Sequence, residues 1–523
     1  MSTRRAHAIA LNGLRGDPVT IEAHLADGLP AFVLIGLPDA SLGEAKDRVR
    51  AALQSLGRPV PQRRVTVNLS PAALRKHGSG FDLGIAVAVL AVMGVLGPEG
   101  AGDRTACIGE LGLDGRVRGV PGVLPAVAAA RTAGFRRVVV PAQAAAEARL
   151  VEGVEVLAVA SLHEAAVQLG ADPAGLAAPP AARVQEPAGS RPQPEADPAE
   201  AELAEVVGNP EAVRALLLAA VGGHHLFLLG PPGAGKTMLA RRLPGLLPEL
   251  PVDEAIEAAA IRSLAGLPIG SRLDARPPFH APHHTSSAVA LLGGGSGAIR
   301  PGAISLAAHG VLFLDEAPEF PRSVLDGLRQ PLESGRHTVH RAAAVAEFPA
   351  CFQLVLAANP CPCGNAGSAA CSCSPLVRRR YLARLSGPLL DRVDLQLNVR
   401  RITAAQRRAA EDRDRTGGPE GPLTTARARE LVARARERGR ERLAGTPWRE
   451  NARVPGGVLR GPELAPPREQ LAELDRALER GALTMRGYDR VLRVAWSIAD
   501  LDGLDRPGSE QIREALFYRL RGG

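Results

Sequence analysis

One run of residues constrains this chain more than any other. Gly230-Pro231-Pro232-Gly233-Ala234-Gly235-Lys236-Thr237 follows the apolar stretch Leu226-Phe227-Leu228-Leu229 without a gap. The spacing is G-x-x-x-x-G-K-[ST] at the junction of a strand and a helix. Its glycines let backbone N–H groups turn inward around a β-phosphate, Lys236 reaches the β and γ oxygens, and the Thr237 hydroxyl takes Mg²⁺. A buried strand feeding such a loop commits the chain around it to a doubly wound, parallel α/β sheet. Lys46, Lys76 and Lys236 are the three lysines among 63 basic residues. One of the three thus stands where a compact ammonium is required, in a chain whose other basic positions are nearly all arginine.

A phosphate loop needs carboxylates on a neighbouring strand, one for the Mg²⁺ shell and one for water. Gly310-Val311-Leu312-Phe313-Leu314-Asp315-Glu316 supplies them. Asp315 is the candidate for the metal shell, and Glu316 for orienting and deprotonating the attacking water, because phosphoryl transfer depends on positioning and charge neutralisation. Asn359 follows another apolar strand, Leu354 to Ala358, and is placed to polarise the same water, although a neutral amide there also serves as a turn former. Arg392 and Arg486 are candidates to neutralise γ-phosphate charge. Surface ion pairing is the plain alternative for both in so arginine-rich a chain.

Length and composition frame the rest. The 523 residues predict two to four domains at roughly 100–200 residues each, every one able to bury a core. From Asp172 to Glu200 seven prolines and no aromatic residue mark a linker. Before it, strand-like runs (Ala31 to Ile35, Arg64 to Asn68, Arg137 to Val140, Val154 to Ala158) alternate with helical stretches (Leu42 to Ser55, Asp82 to Met93, Val123 to Thr132), which predicts an α/β domain over 1–171. After it, a helix over Glu205 to Val221 and the strands already described predict the nucleotide-binding domain over 201–400. Helices at Thr424 to Arg442, Glu469 to Arg480, Met485 to Leu501 and Ser509 to Tyr518 predict a helical domain over 401–523.

The net charge is +8, yet Arg401 to Glu450 holds 13 arginines against 8 acidic residues. That asymmetry suits an anionic partner such as nucleic acid and equally suits a solvated helix face. Aromatic residues make up 3% of the chain, which argues against stacked-base platforms and leaves phosphate contacts as the grip. No stretch approaches the ~20 apolar residues of a membrane helix, and the start lacks an apolar core of signal-peptide length, so a cytoplasmic protein with reduced thiols is expected. Cys361-Pro362-Cys363 and Cys371-Ser372-Cys373 then form C-x-C-x7-C-x-C. Four thiolates can close a structural Zn²⁺ site, although C-x-C leaves less room for N–H to sulfur bonds than C-x-x-C, and a tight structural turn is the alternative.

Taken together, Gly230 to Thr237, Arg276-Pro277-Pro278-Phe279-His280-Ala281-Pro282-His283-His284-Thr285, Arg300-Pro301-Gly302-Ala303-Ile304-Ser305-Leu306-Ala307, Leu312 to Glu316 and Ala357-Ala358-Asn359-Pro360-Cys361-Pro362-Cys363-Gly364 resemble the YifB/ComM family of Mg-chelatase-like AAA+ ATPases. The front part, with Gly36-Leu37-Pro38-Asp39, Val67-Asn68-Leu69-Ser70-Pro71 and Gly78-Ser79-Gly80-Phe81-Asp82-Leu83, is similar to that family's N-terminal domain. The resemblance implies a Lon-protease-like (S5 domain 2-like) α/β domain, then a P-loop AAA+ core with a C-terminal helical lid. It also implies roles: Val207 and Gly208, within Val206 to Asn209, beside adenine; Asn359 as sensor 1; Arg392 as the finger reaching a neighbouring subunit's nucleotide; Arg486 as sensor 2. It implies ATP and Mg²⁺, a homo-hexameric ring, and ATP-driven movement on single-stranded or branched DNA, as in branch migration during natural transformation.

Two segments are expected to touch DNA: Gly335 to Pro349, with His337, His340 and Arg341 on a hairpin, and Phe279 to Gly295, with His283 and His284. Neutral histidines are weak phosphate ligands, and ordinary loops are the alternative. A protease is disfavoured, since no lysine follows Lys76 in the front domain to serve Ser79. A protein-remodelling or Mg-chelatase-type motor without DNA activity remains the competing function.

Overall fold

The computed structural model describes all residues except 1, 37–39, 73, 75–77, 98–103, 179–200, 296–298, 342–343, 367–369, 407, 409–422 and 521–523. Parts of the expected Gly36–Asp39 motif, of the linker and of the arginine-rich stretch, and also Lys76, therefore lie outside the described residues.

The N-terminal domain opens on two strands that the apolar-run reading passed over, β1 (Ser2–Asn12) and β2 (Arg15–Ala26). They pair antiparallel in full register from Ser2↔Leu25 to Asn12↔Arg15, around the two-residue turn Gly13-Leu14 with Gly13 at φ 63°. A positive φ at the first turn residue matches the twist of a tight hairpin. In β2, Val19, Ile21, Ala23 and Leu25 are buried in strict alternation. β3 (Ala31–Ile35) and β4 (Arg64–Ser70) extend this side of the sheet, and β5 (Thr105–Cys107), β8 (Arg137–Pro141) and β9 (Glu155–Val159) extend the other, in the order β3-β4-β2-β1-β5-β8-β9. β6 (Glu110–Leu111) and β7 (Val117–Arg118) form a separate short pair. The helix Asp82–Val92 is buried along its whole length against this sheet. Its first residue, Asp82, is matched by Arg48, whose Nε donates at 2.7 Å, so the one buried charge at that end is paired. The start of the expected linker belongs to this domain: Leu176 packs on the same core, and Ala177 N–H donates to Leu56 O at 3.0 Å.

The second sheet is wholly parallel. β10 (Leu226–Leu229), β11 (Phe279–His280), β12 (Val311–Leu314), β15 (Gln353–Ala358) and β16 (Leu395–Asn398) lie in the order β11-β12-β15-β10-β16. The chain leaves β10 for the far edge and later returns to its other side, so β10 is the switch point at which such sheets bind ligands. The preceding helix starts at Pro210, not at Glu205 as expected, because Pro210 occupies the first helical turn and Gly208 (φ 80°) turns the chain just ahead of it. Between β12 and β15, the hairpin of β13 (Arg336–Arg341) and β14 (Ala344–Pro349) forms where it was expected.

The C-terminal helices Thr425–Arg442, Ala472–Glu479, Met485–Asp502 and Ser509–Leu520 form the lid. The expected helix Glu469 to Arg480 is shorter, its first turn being a 3-10 segment, Arg468–Leu471. Val491, Leu492 and Trp496 of the lid share one apolar core with Leu216 and Leu228 of the sheet domain. Arginines of the basic stretch point inward: Arg429 to Gly245 O, Arg436 to Ala220 O, Arg438 to Asp500 O and Arg442 to the Asp500 carboxylate. Those four fasten the lid, so that share of the local charge is structural. No helix among the described residues is long and apolar enough to cross a membrane.

Candidate nucleotide site and cysteine cluster

The phosphate loop joins β10 to the helix Lys236–Leu246. Gly233 (φ 74°) and Gly235 (φ 89°) take left-handed conformations that a side chain would oppose, the backbone geometry a phosphate-cradling loop requires. Lys236 is 7% exposed, and its Nζ donates to Gly230 O (2.6 Å), Pro231 O (3.0 Å) and Asn359 Oδ1 (3.0 Å). Burial lowers its pKa, and the charges of Asp315 and Glu316 oppose that drop. Thr237 Oγ1 donates to Asp315 Oδ2 at 2.7 Å, so the hydroxyl and the carboxylate expected to share Mg²⁺ already meet. Asp315 Oδ1 accepts from the N–H of Glu316 at 2.9 Å. Glu316 sits in the left-handed region at φ 50°, a strained conformation for a glutamate, and its side chain is exposed.

Four of the sequence-derived candidates, Lys236, Thr237, Asp315 and Asn359, are thus in direct contact at the carboxyl edge of one sheet. Glu316 joins them from the next residue. The segment leading to Val207 and Gly208 is tied to the phosphate-loop helix: Arg242 of that helix holds Glu202 O at 2.7 Å and pairs with Glu205, and Gly208 abuts Ile402. That fixes the 202–208 segment against the site.

Arg392 and Arg486 are not brought to the phosphates. Arg392 pairs with Glu333 and donates to Pro388 O at 2.6 Å, its side chain 11% exposed and its Nε without a partner. Arg486 is exposed on the first turn of the Met485–Asp502 helix, and no ion pair is formed by it among the described residues. One turn on from Arg486, a lid arginine that does grip the sheet domain is Arg490. It binds Asp394 and donates to Arg392 O at 3.1 Å. Nothing in the spacing of arginines distinguishes Arg490 from its neighbours.

Two side chains at the site were missed as such. His284 lies with Nδ1 3.3 Å from Glu316 Oε2, and its ring is 4.1 Å from that of His283. Arg401 Nε donates to Pro232 O of the phosphate loop at 3.1 Å. The H-H doublet was a usable signal for the first. The hairpin and the Phe279–Gly295 segment also meet, through His337 and the backbone of Leu292. In the front domain Ser79 donates to the Glu110 carboxylate, a carboxylate partner and not a lysine.

Cys361, Cys363, Cys371 and Cys373 converge, their sulfurs all within 4.8 Å of one another. Cys361 Sγ is 3.3 Å from Cys363 Sγ and 3.8 Å from Cys371 Sγ, and Cys363 Sγ is 3.5 Å from Cys371 Sγ. All four are free thiols. The N–H of Asn365 bonds to Cys363 and holds its thiol below the usual range, while burial raises that of Cys361.

Comparison with known proteins covers the whole chain. Residues 202–407 match the family model for magnesium chelatase, subunit ChlI; residues 21–144 match that for subunit ChlI of Mg-chelatase; and residues 423–519 match that for the ChlI C-terminal region. An uncharacterized protein of Mycobacterium tuberculosis is 48% identical over 523 residues, covering 100% of this chain and 99% of its own. The competence protein ComM of Haemophilus influenzae is 41% identical over 520 residues, 99% of this chain and 98% of its own. The uncharacterized protein YifB of Escherichia coli is 37% identical over 526 residues, 99% of this chain and 97% of its own. With its phosphate loop at the switch point of a parallel sheet and a helical lid behind it, the chain belongs to the YifB/ComM family of Mg-chelatase-like AAA+ proteins.

Proposed function

We propose that this protein is a ring-forming ATPase that moves on DNA, a helicase or branch-migration factor acting on recombination intermediates such as those of natural transformation. Its cofactors in this reading are ATP and Mg²⁺, with Zn²⁺ at the four cysteines as a non-catalytic clip. The residues present suit the nucleotide: two left-handed glycines give the loop the backbone turn a phosphate cradle needs, and the Thr237 and Asp315 oxygens lie 2.7 Å apart, where one cation could share them. Mg²⁺ held by Thr237 and Asp315 would supply charge neutralisation at the phosphate oxygens. Lys236 exchanges its carbonyl partners for β and γ oxygens, Asn359 holds the attacking water, and Glu316 takes its proton. Val207 and Gly208 flank the base. Arg392, released from Glu333 in a homo-hexamer, reaches the adjoining subunit's site, and Arg486 closes from the lid.

The observation that carries the DNA half is the contact between His284 and Glu316. It joins the Phe279–Gly295 segment, expected to meet DNA, to the group that activates water. Phosphates engaging that segment draw His284 away and free the Glu316 carboxylate, which couples hydrolysis to the strand. Likeness over the full length to a protein named for competence supports a role in that process, in which DNA is taken up and recombined. The test is steady-state ATP hydrolysis with and without single-stranded or forked DNA. Stimulation of several-fold, lost at high salt, supports the reading. Hydrolysis indifferent to every DNA would instead favour a protein-remodelling or chelatase-type motor.

A further inference from the structure

The cysteine cluster stands where it can control the nucleotide site. Cys361 lies two residues beyond Asn359, at the end of β15. Gly364, at φ 75°, packs flush on the phosphate loop: a Cβ there would fall 2.5 Å from Pro232 Cγ. Ser374, directly after Cys373, caps the helix Pro375–Leu382 by accepting from Val377 N–H. Two residues past that helix, Arg384 donates to Pro318 O (3.0 Å) and Glu319 (3.1 Å), in the turn after Glu316. The loop carrying the four cysteines therefore packs on the phosphate loop and continues the Asn359 strand, while the turn after Glu316 is held separately, by Arg384 beyond the next helix.

The four sulfurs are gathered closely enough to share one metal. Tetrahedral zinc with bonds of about 2.3 Å spaces its sulfurs about 3.8 Å apart; all four lie within 4.8 Å of one another, one pair at 3.8 Å and two closer, at 3.3 and 3.5 Å. The outer contacts are those of bound thiolates. N–H groups of Asn365 and Ala366 point at Cys363 and Cys361, and Arg378 donates to Cys371 Sγ at 3.3 Å and to Cys373 O at 3.2 Å, offsetting the negative charge of four sulfurs. With four protein ligands no position stays open for substrate, so the site is structural.

We propose that Cys361, Cys363, Cys371 and Cys373 bind one Zn²⁺, and that this metal braces the phosphate loop by seating Gly364 on Pro232. The bracing rests on the nucleotide-site reading; the metal does not. Without zinc the loop bearing Gly364 lifts, Pro231 and Pro232 lose their backing, and ATP affinity falls while the groups that break the bond stay in place.

Three measurements on the full-length protein test this. Elemental analysis is expected to find one zinc per chain, reduced to background in a Cys371→Ser/Cys373→Ser double variant. Equilibrium binding of a fluorescent ATP analogue is expected to weaken about tenfold in that variant, with kcat at saturating ATP changed far less than KM. Gly364→Ala is expected to keep its zinc and show the same loss of affinity, separating the brace from the metal. If the double variant fails to fold, a thiol-reactive mercurial titrated into the parent gives the readout: zinc release, followed with a chromogenic chelator, should track the loss of ATP affinity. Parent protein free of zinc, with all four thiols open to modification, overturns the site. Zinc present but ATP affinity unchanged on its removal overturns the brace. Zinc present with no ATP binding even in the parent would instead sink the nucleotide reading.

Discussion

Lys236 shows how a single side chain is prepared for its ligand. Burial weakens its hold on its proton, yet two carboxylates nearby favour the charge, and it stays an ammonium whose partners are carbonyl and amide oxygens a phosphate can replace. Glu316 is prepared differently, strained at φ 50° and held by His284. His284→Ala should therefore raise ATP hydrolysis without DNA by several-fold and shrink the factor by which DNA stimulates it; equal losses with and without DNA would show His284 to be only structural. His225 makes a pH prediction. Its Nδ1 accepts the Leu354 N–H at 3.0 Å, and burial pushes its pKa from 6.5 down to about 3. The folded state thus refuses a proton that the unfolded chain accepts below pH 6.5. Stability should be fully present above that pH and decline as pH falls toward 3, by about 2 kcal/mol at pH 5. Chemical denaturation of the parent and of His225→Gln at pH 7.5 and 5 checks this, and equal pH slopes in the two proteins would contradict it. At this scale the sequence told most where the chemistry is local. The phosphate loop and the acidic pair were readable because each depends on a few adjacent residues, whereas His284, 32 positions before Glu316, reaches it only through the pairing of β11 with β12.

Among the elements, the joint between lid and sheet domain is the most demanding. Asp394, buried just before β16, faces Arg490, and its Oδ2 lies 3.1 Å from His224 Nδ1, whose Nε2 meets Ser497 Oγ of the lid at 2.7 Å. Burial alone would raise the Asp394 pKa, but the Arg490 charge and the His224 bond hold it well below the ordinary range. Removing one member of a buried pair strands the other, so Asp394→Asn should cost about 3–5 kcal/mol. Urea unfolding followed by Trp496 and Trp448 fluorescence reads it, and a loss under ~1 kcal/mol would show the joint to be solvated. The elements most legible beforehand were continuous apolar runs, such as Asp82–Val92 and β10. β1 and β2 were passed over although β2 alternates cleanly, because small alanines and interspersed charged residues dilute the apolar signal on which a run-based reading relies. The docking of their turn was not readable at all. Gly13 and Leu14 pack on Val339, Ala346 and Phe348 of the β13–β14 hairpin, a contact between segments more than 300 residues apart that no local pattern encodes.

For the whole molecule this contact has a consequence. The front domain rests on the hairpin and on the helix Val252–Leu264, where Gly122 N–H donates to Ser263 O at 3.0 Å, so one face of a DNA-contact candidate is braced by the domain that precedes it. His340 and Val345 remain exposed on that hairpin. In the proposed ring each site is completed by a neighbour, and Arg392 tests this. Arg392→Ala should bind ATP as the parent does yet hydrolyse it about 10³-fold more slowly. Mixing it with inactive Glu316→Gln should restore hydrolysis, since a Glu316→Gln neighbour still offers its arginine to an intact site; no recovery on mixing would place Arg392 in a cis role. Whether hydrolysis drives movement on DNA is read by strand displacement on a forked or branched duplex with ATP and Mg²⁺, comparing the parent with Glu316→Gln. Displacement by the parent is expected, and none by the variant, which still binds ATP. Hydrolysis by the parent without any displacement on forked or branched substrates would contradict the proposed movement on DNA.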